Sequence, residues 1–479
     1  MARPYPVPNA TIPFWRTELH ELDSHRSTAE LPEKQDIVII GAGFAGAALA
    51  HYLLKDNPSK PSITILEARE ACSGATGRNG GQLRPDLFVG VAERMQARGL
   101  ETANQVAQFE AANAEAVAAL IESEGVACDL RAVTTADAFD DPGDAARMRK
   151  LWDTMTAALD CPSLRAVSFH GEPADAERVS GVRGAKVAFT YPAHLLWPYK
   201  LVMHLLEGAV RRGVNLQTHT LVHEVSETPD VEGYWEVATS RGAVRGRKVL
   251  FATNAYTAGL LPEYDDAIYA ARGTVARVVP SSTSSSLSST STSSRQTPPQ
   301  PTLGSCGMPD SYYGARGDAD GSLIVGGGGS SYARDRGQWY RNFDDATLIE
   351  PAVPYFSGWA GRTLVGWEDG EGGQEKAGRV ERVWTGIRGY SADSVPHVGP
   401  VPSKPGLYVC AGFHGHGMPN VLLCARGLAA MVRDGDGCAF ADTGIPACYE
   451  TGAARLRKIA EGKAAKAAAR ARADIYLKY

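Results

Sequence analysis

The sequence predicts an α/β protein, α+β overall, built around a doubly wound parallel sheet. The first observation is the order of strand, glycine turn and small-residue helix over residues 36–55. The second is an apolar strand at residues 62–67, placed as the next strand of a parallel sheet would be. The third is the return of short strands over residues 214–254 after a helical stretch. Together they predict a Rossmann-like domain that distant parts of the chain complete.

Composition excludes several classes of protein. The chain has 479 residues, with 49 Lys and Arg against 54 Asp and Glu, so its formal net charge is −5. This balance argues against a protein built to bind nucleic acid. The eight cysteines form no CxxC pair and have no neighbouring histidine cluster, so we expect no metal site and no disulfide scaffold. Residues 1–31 lack the order of a secretory signal, and we expect a cytoplasmic protein.

Residues 37–54 form an 18-residue stretch without a formal charge, long enough to raise the question of a membrane span. Gly41, Gly43 and Gly46 divide this stretch into a β-rich piece and a helix of small residues. We therefore interpret it as a buried strand, a turn and a helix, and we expect no membrane span.

Further elements follow from periodicity. Residues 94–124 have helical spacing and show no visible chemistry. A second helix is predicted at 198–212, and strands are predicted at 215–225, 234–239 and 248–253.

Two segments have biased composition. Residues 281–301 are rich in Ser and have almost nothing apolar to bury, so we expect a disordered insert there. Residues 452–473 are helical and basic, which is typical of a solvated terminal helix.

The glycine turn is the first motif with chemical meaning. Gly41, Gly43 and Gly46 form a GxGxxG pattern directly after a strand. Such glycines permit a tight turn, close approach of a pyrophosphate and close packing of helix on strand. Glu67 ends the next strand, where a carboxylate can accept both hydroxyls of an adenosine ribose. This combination predicts a dinucleotide site, whereas the glycines alone would also suit a packing turn.

A second glycine-rich loop, residues 72–82, decides between dinucleotides. It carries Arg78 and Asn79 and can return along the same cofactor, which a plain NAD-binding domain would not need. From this loop onward the chain resembles the D-amino-acid oxidase-like (DAO) family of FAD-dependent oxidoreductases. It looks most like the branch containing γ-glutamylputrescine oxidase and related fungal proteins.

The resemblance implies FAD as cofactor and a set of residues that contact it. In the N-terminal blocks these are Gly41, Ala42, Gly43, Gly46, Glu67, Ala68, Arg69, Thr76, Gly77, Arg78, Asn79, Gly80, Gly81 and Gln82. Arg78 could also be a surface ion-pair former. Later blocks resemble the family's adenine strand, its turn beside the pyrophosphate and its C-terminal flavin segment. The residues implied there are Val222, Thr253, Asn254, Arg388, Gly412, Gly415, Gly417 and Met418.

The C-terminal loop has an electrostatic role in this interpretation. Pro419 suits the first turn of an apolar helix over residues 419–432, and the glycines before it leave backbone N–H groups free for a ligand. A helix N-terminus carries about half a positive charge, which would stabilise negative charge on reduced flavin. His414 and His416 lie in this loop, and we expect one of them, without choosing which, to face the substrate. The candidate catalytic residues are therefore His414, His416 and Arg78.

The matching blocks also imply a division of the chain. The fold would be a Rossmann-like FAD-binding domain with a discontinuous, antiparallel-sheet substrate domain. The FAD-binding domain would comprise residues 1–99, 191–264 and 381–450, and the substrate domain would comprise residues 100–190 and 265–380. Residues 451–479 would form a basic helix outside both domains. Tyr312, Tyr313 and Trp367 are candidate pocket aromatics, although such residues usually belong to a core.

The activity implied is oxidation of a C–H bond adjacent to an amine, in an amine or an amino acid, by hydride transfer to flavin. Dioxygen would then reoxidise the flavin and give hydrogen peroxide. Cys410 and Cys424 lie near the flavin block but outside the Cys motif of sarcosine oxidases, which favours noncovalent FAD.

Three alternatives remain open at this point. The first is a flavin dehydrogenase or tailoring oxidase acting on an alcohol or a secondary metabolite, with an acceptor other than oxygen. The second is a flavin-binding protein without turnover. The third is a nicotinamide-dependent dehydrogenase.

Overall fold

The structure is a computed structural model. It describes residues 4–158, 160–280, 303–316, 320–367 and 378–462. The Ser-rich segment 281–301 and the distal part of the basic helix lie outside these ranges. Two sheets and the helices around them confirm the predicted α/β fold, with a Rossmann-like domain and a mostly antiparallel second sheet.

The bounds of the elements are as follows. The strands are β1 (Lys34–Ile40), β2 (Ile63–Leu66), β3 (Gln82–Leu83), β4 (Arg131–Phe139), β5 (Ser168–His170), β6 (Val187–Leu195), β7 (Asn215–Gln217), β8 (Val222–Val225), β9 (Trp235–Thr239), β10 (Gly242–Phe251), β11 (Ile268–Val279), β12 (Leu303–Met308), β13 (Ser311–Ala315), β14 (Leu323–Gly327), β15 (Arg379–Ser391), β16 (His397–Pro400) and β17 (Leu407–Ala411). The α-helices are α1 (Phe44–Leu54), α2 (Val89–Arg98), α3 (Leu100–Glu124), α4 (Pro142–Ala158), α5 (Pro173–Ser180), α6 (Pro198–Arg211), α7 (Thr257–Leu260), α8 (Val353–Phe356), α9 (Trp359–Thr363), α10 (Val421–Asp434) and α11 (Ala453–Ala460).

The first sheet has the order β16-β17-β10-β1-β2-β7, and its strands from β17 to β7 are parallel. Strand β1 is buried on both faces because its side chains alternate between two cores. Ile37 and Ile39 belong to the core that includes α1, α6 and α10, whereas Val38 and Ile40 face the core under β8 and β9. Residues 37–54 thus form strand, turn and helix as predicted. No helix in the described ranges is long and apolar enough to cross a membrane.

The second sheet has the order β15-β11-β14-β13-β12-β4-β6-β3, with β5 paired to β6. All of its pairs are antiparallel except β12 with β4. Residues 381–391, expected in the FAD-binding domain, lie in β15 of this sheet because they pair with β11. Conversely, α3, expected in the substrate domain, packs Val106 and Val117 into the core of the first sheet. Both differences arise because motif order along a chain does not specify which strand or helix is the neighbour.

The glycine turn closes tightly at the carboxyl end of β1. Gly41 has φ +110°, and a Cβ there would lie 2.6 Å from the carbonyl oxygen of Ala252. A Cβ on Gly46 would lie 1.8 Å from the carbonyl oxygen of Gly41, so this position requires glycine for α1 to pack on β1. A Cβ on Gly43 would meet only Thr76 Oγ1 at 3.5 Å, which leaves room beside the turn.

Substitution Gly46→Ala should lower the free energy of unfolding by about 1–3 kcal/mol, because the added methyl forces helix and strand apart. Urea titration of the purified protein measures this loss. Gly74→Ala is the matched control, since a Cβ at Gly74 meets nothing within 4 Å. Equal effects of the two substitutions would contradict the packing argument.

Candidate active site

A cavity of about 680 Å³ lies at the carboxyl ends of β1, β2 and β10, and the second sheet supplies its other wall. Crevices at this edge of a doubly wound sheet are where ligands bind. Its volume lies within the range of roughly 300–1,000 Å³ typical of small-molecule sites.

Most residues assigned to FAD or to catalysis line this cavity. They are Gly41, Gly43, Glu67, Ala68, Arg69, Thr76, Arg78, Asn79, Gly80, Gln82, Val222, Thr253, Asn254, Arg388, His414, Gly415, His416, Gly417 and Met418.

Five of the assigned residues do not line the cavity, namely Ala42, Gly46, Gly77, Gly81 and Gly412. The structure gives three of these glycines packing roles instead, and one of them is Gly46, which packs against Gly41 O. A Cβ on Gly77 would lie 2.1 Å from Cys72 O, and one on Gly81 would lie 2.6 Å from the Trp15 ring. Sequence motifs do not separate glycines that contact a ligand from glycines that let neighbouring segments pack.

Glu67 lies at the end of β2 with its carboxylate held by backbone donors. The N–H groups of Ala42 and Arg69 donate to it at 2.8 and 3.0 Å. Both donors belong to the segments that form the cavity wall, so the acid is oriented before any ligand binds. This placement suits the ribose role that the sequence assigns to Glu67.

Arg78 is buried, with 2% of the residue exposed, so it is not a surface ion-pair former. Its Nε donates to Ser73 O at 2.7 Å, and its Nη1 donates to Thr385 O at 2.8 Å. Burial lowers the pKa of Arg78 to about 10, although Asp345 nearby acts in the opposite direction. Its buried Nη2 has no hydrogen-bond partner among the described residues. A buried cationic donor without a partner is costly and indicates a ligand acceptor.

Asp345 is the carboxylate that lies between two buried arginines, Arg69 and Arg78, and no sequence motif predicted it. It is 1% exposed and accepts from Arg69 Nη1 and Nη2 at 2.9 and 3.1 Å. Its Oδ2 also lies 3.4 Å from Arg78 Nε. Arg69 therefore lines the cavity, but its guanidinium is engaged with Asp345 and with Val7 O. No motif marks Asp345, which lies 276 positions from Arg69.

Two buried hydroxyls on residues of the wall also have no protein partner. The hydroxyls of Tyr256 and Thr274 are buried and accept or donate no hydrogen bond within the described chain. With Arg78 Nη2 they form a set of polar groups that a ligand can satisfy. This set, the room beside Gly43 and the oriented Glu67 together fit a dinucleotide with phosphate, ribose and ring polar atoms.

The C-terminal loop is held differently from the expectation. Asn254 Oδ1 accepts the N–H groups of Gly412 and Phe413 at 3.2 and 3.3 Å. The N–H of Gly412 is therefore not free for a ligand, and Asn254 uses its amide oxygen to fix the loop. Helix α10 begins at Val421, two residues after Pro419, so the expected N-terminus is displaced along the chain.

Both histidines of the loop line the cavity, but they contact different residues. The His414 ring stacks on Tyr390 with centroids 4.4 Å apart, and its Nδ1 accepts the Ser391 N–H at 3.3 Å. His416 is 36% exposed at its side chain, and its Nε2 lies 3.0 Å from Glu110 Oε2.

Glu110 brings the packed helix α3 into contact with His416, a pairing that no feature of the predicted helix indicated. Its side chain is 2% exposed, and its Oε2 also accepts the Asp86 N–H at 2.8 Å. Burial favours the neutral acid, but His416 and Arg94 together lower the pKa of Glu110 to about 2. Burial likewise disfavours the imidazolium, yet the Glu110 carboxylate raises the pKa of His416 above its usual range. The pairing thus favours the imidazolium form of His416 at the cavity wall.

Arg84 is another cation on the wall with a buried acidic partner. It pairs with Asp137 and donates to the Tyr191 hydroxyl at 2.5 Å, and that hydroxyl donates to Asp137 at 2.8 Å. No group of three or more metal-ligating side chains comes together within the described ranges.

Some of the candidate aromatic residues and cysteines line the cavity, and others do not. Tyr312 lines the cavity, and its ring occupies the space that a Cβ on Gly80 would fill. Tyr313 and Trp367 instead pack in a core of the second sheet. Cys410 lines the cavity, but burial raises the pKa of its thiol to about 12, which disfavours the thiolate that covalent attachment needs.

Comparison with known proteins shows which family this chain belongs to. A model of the DAO family, described as FAD dependent oxidoreductase, matches residues 36–431. A Rhizobium meliloti protein named "Probable oxidoreductase OrdL" is 27% identical over 233 residues, which are 48% of this chain and 51% of that protein. The chain spans about half the length of the curated relatives it matches.

Solved structures share the fold. Glycine oxidase from Geobacillus kaustophilus has a TM-score of 0.63 at 18% identity, covering 84% of this chain and 95% of that chain. L-proline dehydrogenase from P. horikoshii has a TM-score of 0.62 at 18% identity, covering 88% of this chain and 98% of that chain.

Substitution Asp345→Asn should lower the free energy of unfolding by about 3–5 kcal/mol, because it leaves two buried guanidinium groups without a counter-charge. Urea titration measures the loss. Asp266→Asn is the control, because Asp266 is 64% exposed and lies 4.0 Å from its partner Arg341. A loss at Asp345 as small as that at Asp266 would refute the organising role.

Substitution Glu110→Gln should destabilise the protein in a pH-dependent manner. The lowered pKa of Glu110 means that its contribution is present above an unfolded value of about 4.3 and is lost as the pH falls toward about 2. The raised pKa of His416 means that its contribution is lost as the pH rises through the folded value. The difference in unfolding free energy from wild type should therefore be largest at about pH 5–6. Glu115→Gln, at an exposed position of α3, should show no such maximum.

Proposed function

Because the chain belongs to the DAO family of FAD-dependent oxidoreductases, we propose that it oxidises a C–H bond adjacent to an amine nitrogen and that dioxygen reoxidises the reduced enzyme. The observation that carries the proposal is that one cavity is lined both by residues with buried, unpartnered polar atoms, namely Arg78, Tyr256 and Thr274, and by His416, which is paired with Glu110. The names of two proteins that share the fold, glycine oxidase and L-proline dehydrogenase, support an amine or amino acid as substrate.

Different residues along the cavity would hold different parts of FAD. Glu67 and Val222 would hold the adenosine part, and the turn at Gly43 would admit the pyrophosphate. Arg78 and Tyr256 would donate to acceptors of the cofactor. When bound, FAD supplies the acceptor for a hydride from the substrate carbon.

His416 is the histidine that we assign to catalysis. Glu110 favours the imidazolium form of His416, whereas His414 uses Nδ1 as an acceptor and stacks on Tyr390. A positive group on the cavity wall stabilises negative charge in the cavity, either a substrate carboxylate or charge that develops during reduction. The chain therefore acts mainly by orienting the reactants and by electrostatic stabilisation.

We also propose that the enzyme acts in the cytoplasm. All eight cysteines are free thiols in the structure, and six of them are buried. Reduced thiols of this kind are typical of a reducing compartment.

The test is anaerobic mixing of the FAD-loaded protein with a panel of amines, amino acids and alcohols. We expect one amine or amino acid to bleach the visible flavin absorption, and admitted oxygen to restore it with formation of hydrogen peroxide. Bleaching without recovery in oxygen indicates a dehydrogenase with another acceptor. Bleaching by an alcohol alone, or by no compound, contradicts the proposal.

With the substrate found, His416→Gln should lower the rate constant of anaerobic bleaching about a hundredfold, because one positive donor at the site is lost. His204→Gln is the matched control, since His204 lies on α6 and pairs with Glu124 at 2.9 Å outside the cavity. A similar rate in wild type and His416→Gln would remove His416 from the mechanism.

A further inference from the structure

Residues 4–16, which we call the N-terminal strap, lie along the cavity although they precede the segment matched by the family model. Pro4, Pro6, Pro8 and Pro13 prevent a continuous helix or strand ladder, and only Phe14–Arg16 forms a short turn of 3-10 helix. The strap is therefore attached by separate contacts rather than by a regular backbone pattern.

One end of the strap reaches the adenosine part of the cavity. Tyr5 and Pro6 line the wall together with Val222. The Tyr5 hydroxyl donates to His223 O at 2.6 Å, so the ring is attached to β8.

The middle of the strap lies on the buried arginine pair. The Thr11 N–H donates to Asp345 O at 2.7 Å. Thr11 Oγ1 accepts Arg78 Nη1 at 3.0 Å and the Thr385 N–H at 3.1 Å. Thr11 thus connects three segments: the loop 72–82 that carries Arg78, which we call the arginine loop, strand β15, and the segment that carries Asp345.

The other end of the strap lies on the loop predicted to contact FAD. Trp15 is 1% exposed, and its Nε1 donates to Asn79 O at 2.6 Å. The strap therefore contacts three wall segments, and each of them contains a residue that we assign to FAD binding.

We propose that the N-terminal strap forms the outer wall of the FAD site and controls how fast FAD dissociates. Phe14 and Trp15 are anchored in the core, whereas residues 4–13 are held mainly by separate hydrogen bonds, so this part of the strap can open locally at a lower cost than global unfolding. A ligand enclosed by the strap leaves only when these contacts open. The inference rests on FAD binding and not on the proposed oxidation of amines.

The first experiment compares FAD dissociation from full-length variants loaded with FAD. Tyr5→Ala removes a wall side chain, Thr11→Val removes the central hydroxyl, and Ile12→Ala changes a strap side chain that is 62% exposed. Dissociation is followed as the rise of flavin fluorescence after dilution. We expect Tyr5→Ala and Thr11→Val to release FAD at least about tenfold faster than wild type, which corresponds to about 1.4 kcal/mol. Ile12→Ala should release it at the wild-type rate.

The second measurement separates control of release from a general loss of stability. Thermal unfolding of the FAD-free variants should give the same midpoint for Tyr5→Ala and Ile12→Ala. Amide hydrogen exchange of residues 4–16 in the wild-type chain should slow when FAD is added. Wild-type release rates in both Tyr5→Ala and Thr11→Val, or exchange in the strap that FAD leaves unchanged, would overturn the proposal. Neither measurement depends on finding a substrate.

Discussion

The site depends on one buried carboxylate, that of Asp345. Two guanidinium groups, those of Arg69 and Arg78, lie inside the protein within hydrogen-bond or ion-pair distance of it. Removing such cations from water is unfavourable unless an acid and further acceptors surround them. Asp345 supplies the charge, and carbonyls of the arginine loop, of β15 and of the strap supply the other acceptors. Segments far apart in sequence therefore meet at one point on the cavity wall.

The same arrangement recurs at two other positions of the wall. His416 is paired with Glu110 of α3, and Arg84 is paired with Asp137 of β4. In each case the cation lies on the cavity wall and the acid lies behind it, buried. Positive groups are thereby fixed beside the cavity while the charge of the protein interior stays balanced. An electrostatic role in catalysis requires such fixed orientation, because a mobile charge would be solvated and weakened.

Glycines in the site serve two purposes that look alike in the sequence. Gly43 leaves open space beside the turn, whereas Gly46 and Gly77 accommodate backbone oxygens that a methyl group would strike. Asn254 shows a similar ambiguity, because its polar side chain holds the C-terminal loop rather than reaching freely into the cavity. Residue type thus indicates that another group comes close to this position. Only the tertiary structure shows whether that group belongs to a ligand or to the protein.

The sequence by itself determined the fold class, the dinucleotide-type turn, the acid after β2 and the family, since these depend on local periodicity and on motifs of contiguous residues. It also located the part of the cavity wall that lies in loops after strands of the parallel sheet, because ligand-binding loops follow directly after such strands, but not the part that the second sheet supplies. Only the tertiary structure decided which acids neutralise the cations, that α3 belongs to the site, and that β15 joins the second sheet. Asp345, Glu110 and Thr11 carry no local signal, because an ion pair or hydrogen bond between distant segments depends on distance in space and leaves no spacing along the chain.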